Sequence, residues 1–327
     1  MKRAPDPRLA LLLVLALLAG CITLPFPSRK SPPVPLPDYL ARNYDYTPVS
    51  LESQLQSQKS FDGFTRTRMV LTAPQDPSIS STTIDWYKPE SDGEASSSRR
   101  PLILISPILA GNDLYIKDFA RHFAVRGLHA VIVYRKKETF SEDRGLADIE
   151  THLRETVIRL RQVLDWLQAQ PGVDSKRIGT FAISLGAMVT VVLAAVDDRI
   201  QASVFGLPAG HIPEILMTSK DKTIRKRRRN YMKENHLTEE QLLLQLKEVI
   251  VSDPVDFVSS VDPDRTLMIA GVFDRVIGFG RSMELWRKMG RPRLILLPTG
   301  HYTAALATPW LKIITYSFLK RRLLPSK

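Results

Sequence analysis

The chain has 327 residues, of which 44% are hydrophobic, so it can form one large α/β domain and is not globally disordered. Its formal net charge of +12 suits a membrane surface, nucleic acid or an acidic substrate, and selects none of them. The single cysteine excludes an intramolecular disulfide. The sequence contains no metal-ligand spacing and no dinucleotide or phosphate-loop glycine pattern, so we expect neither a metal nor a cofactor.

The N-terminus has a basic start, an apolar run over residues 9–18 and a Leu-Ala-Gly-Cys sequence that ends at Cys21, which together are typical of a secretory signal peptide. The apolar run is shorter than the roughly 20 residues that a membrane-spanning helix needs. The four-residue ending resembles a bacterial lipobox, which implies that residues 1–21 are a signal and that Cys21 is lipidated. An ordinary signal peptide with an incidental cysteine is the alternative. The resemblance implies an anchored protein of the bacterial cell envelope, and Ile22 in place of aspartate favours the outer membrane over the inner.

Residues 22–60 are predicted to form a tether, because six prolines lie between positions 25 and 37. Proline-rich chain adopts an extended conformation of roughly 3 Å per residue. Such a segment would hold a domain several tens of ångströms from a bilayer. The folded domain is therefore expected over residues 61–327.

Short apolar runs alternate with amphipathic helix patterns from residue 61 onward. Residues 64–71 and 82–87 show the polar–apolar alternation of antiparallel strands. Later strand-like runs lack this alternation, and residues 102–105 form a continuous apolar run, as expected of a strand buried on both faces. The later runs cover residues 102–105, 129–134, 177–183, 201–206, 267–270 and 294–297, with helices predicted around 116–123 and over 148–170, 185–196, 282–289 and 303–323. This order predicts the α/β class, a mostly parallel, doubly wound sheet whose site lies at the carboxyl ends of the strands.

An insertion of largely helical, polar character interrupts this alternation at about residues 209–260. Thr238 and Gln241 have the spacing of a capping box that begins an amphipathic helix. A basic run inside the insertion predicts either a solvated helix face or a contact with anionic lipid headgroups or an anionic substrate, and the C-terminal residues 320–322 could add to it. An exported lipoprotein rarely meets nucleic acid, so we expect no such partner. The basic residues are Lys220, Lys222, Arg225, Lys226, Arg227, Arg228 and Arg229.

Ser184 lies where a strand-like run changes to a small-residue helix pattern, between Ala182 and Gly186. A serine with small residues at −2 and +2 at such a junction is typical of a nucleophile elbow. A serine nucleophile needs a base, and the base needs an acid to orient it. Asp274 follows the next-to-last predicted strand and His301 follows the last, so both would meet Ser184 at one edge of the sheet. The competing acids precede that strand and would lie elsewhere: Asp253, Asp256, Asp262 and Asp264.

The order of Ser184, Asp274 and His301 resembles that of the α/β-hydrolase family. The residues around 174–179 and the Gly300-His301 pair are similar to its dienelactone-hydrolase and peptidase-like branches. The resemblance spans residues 61–323 apart from the insertion, which by resemblance would be a cap over the site. It implies hydrolysis of an ester, thioester or amide through an acyl-enzyme.

The same resemblance implies an oxyanion hole made by the backbone N–H of Leu185 and one from the loop after the 102–105 strand. Many relatives have His-Gly in that loop, whereas this chain has Ser106-Pro107, and proline has no N–H to donate. Ile108 is the aligned donor and Leu109 is the alternative.

We therefore expect a membrane-tethered serine hydrolase, an esterase acting on a small-molecule or lipid-like acyl substrate. Two other interpretations stay open. The Ser106-Pro107 loop and Ala182 are compatible with a catalytically silent envelope lipoprotein that binds rather than cleaves. The peptidase-like flanking residues are compatible with a peptidase, although no gating domain accompanies the site.

Overall fold

The computed structural model describes residues 31–76, 79–90, 99–108, 114–134 and 146–324. Cys21 and Leu109 lie outside these residues. The described strands are β1 (Glu52–Phe61), β2 (Phe64–Thr72), β3 (Thr82–Pro89), β4 (Arg100–Ser106), β5 (His129–Val133), β6 (Val173–Ile183), β7 (Ile200–Gly206), β8 (Thr266–Gly271) and β9 (Arg293–Leu297). They form one sheet in the order β1-β2-β3-β5-β4-β6-β7-β8-β9.

The described helices are α1 (Asp38–Ala41), α2 (Leu114–Ala124), α3 (Leu146–Gln168), α4 (Leu185–Val196), α5 (Ile212–Thr218), α6 (Lys222–Glu234), α7 (Glu239–Val249), α8 (Pro254–Phe257), α9 (Phe279–Lys288) and α10 (Thr308–Leu323). None of the helices in these described stretches is both long enough and apolar enough to cross a membrane. Most strands and helices that the sequence predicts lie within a few residues of their expected positions.

The sheet is parallel from β5 through β4, β6, β7, β8 and β9, and antiparallel from β1 to β5 through β2 and β3. Strands β5 and β8 are buried at every position, because flanking helices cover both faces of the sheet. Burial on both faces explains their uninterrupted apolar sequences. The predicted fold class, a mostly parallel α/β sheet, is confirmed.

The predicted tether over residues 22–60 is wrong from about residue 34 onward. Strand β1 pairs antiparallel with β2, and Tyr44 is fully buried, with its hydroxyl donating to Ser252 Oγ at 2.6 Å. The backbone N–H of Val34 donates to the carbonyl of Ser259. Every residue of β1 is exposed, so this edge strand has none of the apolar alternation that identifies a half-buried strand.

The predicted insertion is occupied by α5 to α8, between β7 and β8. Thr238 and Gln241 form the capping box that begins α7, as predicted, with both reciprocal hydrogen bonds present.

The predicted C-terminal helix is divided into two helices near Pro309. Residues 303–307 form a 3₁₀ helix, and Pro309 lies in the first turn of α10, where its missing N–H costs no hydrogen bond.

His129 is a neutral histidine within the core. Its Nδ1 accepts from the indole N–H of Trp86 at 3.3 Å, and its Nε2–H donates to the carbonyl of Gly172 at 3.0 Å. Burial lowers the pKa of His129 from 6.5 to about 4. A proton on Nδ1 would oppose the Trp86 donor, so the folded state resists protonation.

We predict that acid destabilises the fold through His129. Between pH 6.5 and about 4 the unfolded chain binds a proton that the folded chain does not, so the free energy of unfolding falls as pH falls. The loss amounts to about 3 kcal/mol. Denaturant unfolding across this range should show a shallower pH slope for His129→Gln than for the wild type. Equal slopes for wild type and His129→Gln would contradict the assignment.

Candidate active site

Ser184 lies between β6 and α4 in a strained backbone conformation, with φ 56° and ψ −127°. Such a conformation is rare for a residue other than glycine and persists only where its surroundings impose it. Here the backbone N–H of Ser184 donates to the carbonyl of Gly206 at 2.8 Å, and its carbonyl accepts from Met188 at 3.0 Å. The strand and the helix thus hold the serine at the turn, as the elbow pattern predicts.

Gly186 brings the loop after β4 against the first turn of α4. A β-carbon added at Gly186 would lie 2.6 Å from the carbonyl oxygen of Ser106 and 2.8 Å from that of Pro107. Only glycine fits this close approach without moving backbone. Ala182, the unusual residue at −2, is fully buried among apolar side chains, so alanine is accommodated there.

We predict that Gly186→Ala lowers kcat by about 100-fold or more, since a shift of roughly 1 Å in catalytic geometry has an effect of that size. Overpacking should also reduce the free energy of unfolding by about 1–3 kcal/mol. The matched control is Gly280→Ala, where an added β-carbon meets nothing within 4 Å. Ester hydrolysis and thermal unfolding measure both effects. An active Gly186→Ala enzyme would contradict the packing argument.

The three residues predicted from the ends of different strands meet in one hydrogen-bonded chain. Ser184 Oγ donates to His301 Nε2 at 2.9 Å, and His301 Nδ1 donates to Asp274 Oδ2 at 2.7 Å. The other carboxylate oxygen, Oδ1, accepts from the backbone N–H groups of Val276 and Ile277. The Asp274 side chain is 1% exposed and that of His301 is 9% exposed. This is the arrangement of a serine nucleophile, a base and an orienting acid.

Backbone contacts between the loops after β8 and β9 hold Asp274 and His301 in register. Phe273 donates its backbone N–H to the carbonyl of Thr299 at 3.0 Å, and Val272 donates its backbone N–H to the carbonyl of Leu297 at 2.9 Å.

Among the competing acids, Asp253 forms hydrogen bonds within the insertion and not with His301. Its carboxylate accepts from the backbone N–H groups of His211, Ile212 and Val255 and so fixes the start of α5.

The predicted oxyanion donors Leu185 and Ile108 line the same cavity as Ser184. Leu185 is the first residue of α4, so its N–H lies at the positive end of the helix dipole. The close approach at Gly186 brings the Ser106–Ile108 segment beside this helix end. The hydrogen bond from Leu185 or Ile108 to an oxyanion stays a prediction.

A cavity of about 1910 Å³ lies over the carboxyl ends of the strands and extends under α5 to α7. Ser184 and His301 line it, together with mostly apolar side chains. Those from the insertion include Ile212, Ile215, Leu242 and Leu246. At the end near β2 the lining becomes polar, where Arg68 and Tyr134 both donate to the buried carboxylate of Asp85. No group of three or more potential metal ligands occurs among the described residues.

The basic run of the insertion divides between structural and exposed side chains. Arg228 is half-buried and donates to the carbonyls of Leu216 and Met217 at the end of α5. Arg227 lines the cavity. The exposed members are Lys220, Lys222, Arg225, Lys226 and Arg229.

The C-terminal basic residues do not join this run, contrary to the suggestion from sequence. Leu323, which follows them directly, accepts a hydrogen bond at 3.5 Å from Arg177, in the first half of β6. The start of a parallel strand lies at the edge opposite the active site. The basic residues 320–322 are therefore at the far end of the sheet from Ser184.

Tyr302 connects the insertion to the catalytic loop, and the sequence interpretation missed it. Its hydroxyl donates to Asp221 Oδ2 at 2.7 Å, just before α6 begins, and its ring meets that of His301 edge-on at 5.5 Å. Burial and the hydrogen bond to Asp221 raise the pKa of Tyr302 to about 12. Only its position next to His301 could have suggested this role.

The sheet, the elbow serine and the residues at the ends of β8 and β9 define the α/β-hydrolase fold. Solved structures with this architecture include an acetyl xylan esterase from Paenibacillus sp. R4, with a TM-score of 0.67 and 15% identity, covering 88% of this chain and 93% of that one. Acetyl xylan esterase 1 from Thermoanaerobacterium sp. JW/SL YS485 gives a TM-score of 0.61 and 15% identity, and the match covers 89% of this chain and 99% of that one.

Sequence comparisons add a family and distant relatives. Residues 161–256 match the model of the BAAT / acyl-CoA thioester hydrolase C-terminal family. An uncharacterized protein of Mycobacterium tuberculosis is 21% identical over 179 residues, 54% of this chain and 38% of that protein. A polyketide transferase of Penicillium crustosum is 27% identical over 108 residues, 33% of this chain and 34% of that protein. The chain thus spans well under half the length of these relatives. Together with the solved structures, the comparisons support the α/β-hydrolase fold.

Proposed function

We propose that this protein hydrolyses an ester or thioester through an acyl-enzyme formed on Ser184. The observation that carries the proposal is the hydrogen-bonded chain from Ser184 through His301 to Asp274, placed on the wall of a large, mostly apolar cavity. The family match to acyl-CoA thioester hydrolases and the esterase neighbours support the same class of reaction.

The geometry supports the following sequence of proton transfers. Unprotonated Nε2 of His301 accepts the proton of Ser184 as Oγ attacks the substrate carbonyl, and the Asp274 carboxylate stabilises the imidazolium that forms. Backbone N–H groups of Leu185 and Ile108 hold the developing oxyanion. His301 then protonates the leaving alcohol or thiol, and a water activated by the same histidine releases the acid.

The cavity favours a substrate with a bulky apolar acyl group. Its volume of about 1910 Å³ is larger than the roughly 300–1,000 Å³ of most small-ligand sites. Apolar side chains from α5 and α7 cover it, so an acyl chain would be removed from water. We therefore propose a lipid-like ester as the substrate class.

A panel of soluble short-chain esters, long-chain esters, acyl thioesters and aminoacyl amides tests this function, with Ser184→Ala as the blank. We expect turnover of esters or thioesters, with higher kcat/KM for the longer acyl chains. Turnover confined to the amides would favour a peptidase. Absence of turnover from a folded chain would contradict the proposal and favour a silent binding protein.

We also propose that Cys21 anchors the protein to the bacterial cell envelope, in the outer rather than the inner membrane. The lipobox resemblance and the position of the sole cysteine support this. Cells grown with labelled palmitate should incorporate label into the wild-type chain and none into Cys21→Ala. An unlabelled wild-type chain would favour an ordinary signal peptide.

A further inference from the structure

Five large apolar side chains are exposed on or beside the segments that line the cavity, and we call them the apolar rim. Tyr115 and Tyr302 line the cavity itself, and Leu114, Phe273 and Leu306 directly adjoin lining or catalytic residues in the sequence. Phe273 and Tyr302 adjoin Asp274 and His301, and both are about two-thirds exposed, at 64% and 65%. Leu306 is 79% exposed and follows the cavity-lining Ala305. Single exposed apolar residues are ordinary, whereas a group around one opening marks an interaction surface.

Helix α6 begins one residue after the Asp221 that Tyr302 contacts, and it has a basic face that we call the basic stripe: Lys222, Arg225, Arg229 and Lys233. These residues recur at helical spacing and all are exposed. The opposite face of α6 lines the cavity through Ile224 and Tyr231. Residues 220–234 carry eight basic and two acidic side chains, so this short segment supplies much of the net charge of +12. The hydrogen bond from Tyr302 to Asp221 joins the rim to the start of the stripe.

The combination of these features selects one kind of partner. The basic stripe alone would be enough to bind a nucleic acid or an acidic protein. Neither partner would explain why apolar side chains are exposed around the opening. A bilayer with anionic headgroups presents negative charge directly above an apolar interior. Basic side chains would meet the headgroups while the apolar rim enters the acyl boundary.

We propose that the mouth of the cavity docks on an anionic lipid bilayer, so that a lipid-like ester enters the site directly from the membrane. This deepens the proposed hydrolase function and rests on it. The ester group of a membrane lipid lies at the boundary between headgroup and acyl chain. Docking through the rim brings that boundary to the opening lined by Ser184 and His301.

The test uses the full chain carrying Cys21→Ala, so that no lipid anchor contributes. Binding is measured by cosedimentation with vesicles of phosphatidylglycerol and phosphatidylcholine in equal parts, and with vesicles of phosphatidylcholine alone. We expect preference for the anionic vesicles. The triple variant Lys222→Glu/Arg225→Glu/Arg229→Glu should weaken that binding by about 100-fold, because each basic residue near such a surface contributes severalfold. The double variant Leu114→Ser/Leu306→Ser should also weaken binding to the anionic vesicles, although it changes no charge.

The matched control is Lys320→Glu/Arg321→Glu/Arg322→Glu, which makes the same charge change at the other end of the sheet and should leave vesicle binding within about twofold. Equal binding of both vesicle types, or anionic binding that the stripe variant retains, would overturn the proposal. So would heparin binding through the stripe without vesicle binding, which would assign the surface to a soluble polyanion.

Hydrolysis of a short soluble ester is measured on the same variants, and the stripe variant should retain it. A chain that hydrolyses this ester without binding vesicles overturns the docking surface alone. A chain that binds anionic vesicles through the rim and stripe, yet hydrolyses no ester, supports the docking surface and overturns the proposed function.

Discussion

Replacing Ser184 with alanine should lower kcat for the best ester substrate by a factor on the order of 10⁶, the scale seen when a serine hydrolase loses its nucleophile. The hydroxyl of Ser184 makes the hydrogen bond to His301, and alanine removes it without adding volume. The backbone hydrogen bonds of the elbow involve main-chain atoms and persist. Binding of substrate in the cavity should therefore change little.

Single-turnover and steady-state hydrolysis by purified wild type and Ser184→Ala measure this effect. Ser317→Ala, a half-buried position on α10, is the matched control and should retain wild-type rates. Thermal unfolding of both variants checks that the fold is intact. Hydrolysis by Ser184→Ala within tenfold of wild type would mean that another group is the nucleophile.

Asp274→Asn should lower kcat by a factor of roughly 10⁴ while leaving the fold intact. The hydrogen bonds of the site explain why so small a change matters. Oδ1 of Asp274 accepts from two backbone N–H groups, so the amide oxygen of asparagine must occupy that position. The amide NH₂ then faces His301 Nδ1, which must become the unprotonated nitrogen. Nε2 consequently carries the proton and cannot accept one from Ser184.

The control for this prediction is Asp256→Asn. Asp256 is exposed and lies on α8, before β8, whereas the carboxylate bonded to His301 follows that strand. The Asp256→Asn variant should therefore retain near wild-type kcat. Comparable kcat losses for the two variants would contradict the role given to Asp274.

Most of the sheet could be predicted because its strands are buried on both faces. Apolar runs identify β4, β5 and β8 to within two residues, and the elbow pattern locates the β6–α4 junction. The site followed from topology, since parallel strands place the residues after β8 and β9 at the edge that carries Ser184. Their side chains are then within hydrogen-bond distance in the structure.

The features that the sequence did not predict share a physical cause: they depend on contacts that local patterns do not encode. Strand β1 is exposed along its whole length, so its pairing with β2 leaves no hydrophobic periodicity to detect. Tyr44 packs against residues more than two hundred positions away. The Tyr302–Asp221 hydrogen bond and the shape of the cavity likewise depend on how the insertion folds back over the sheet.

The central claim is that Ser184 is a nucleophile activated by His301. A fluorophosphonate probe, which reacts with activated serines, tests it most directly when the labelled peptide is identified by mass spectrometry. We predict one label per chain on the peptide containing Ser184, no label in Ser184→Ala and much slower labelling in His301→Ala. Labelling that persists in Ser184→Ala, or that maps to another serine in the wild-type chain, would contradict the account.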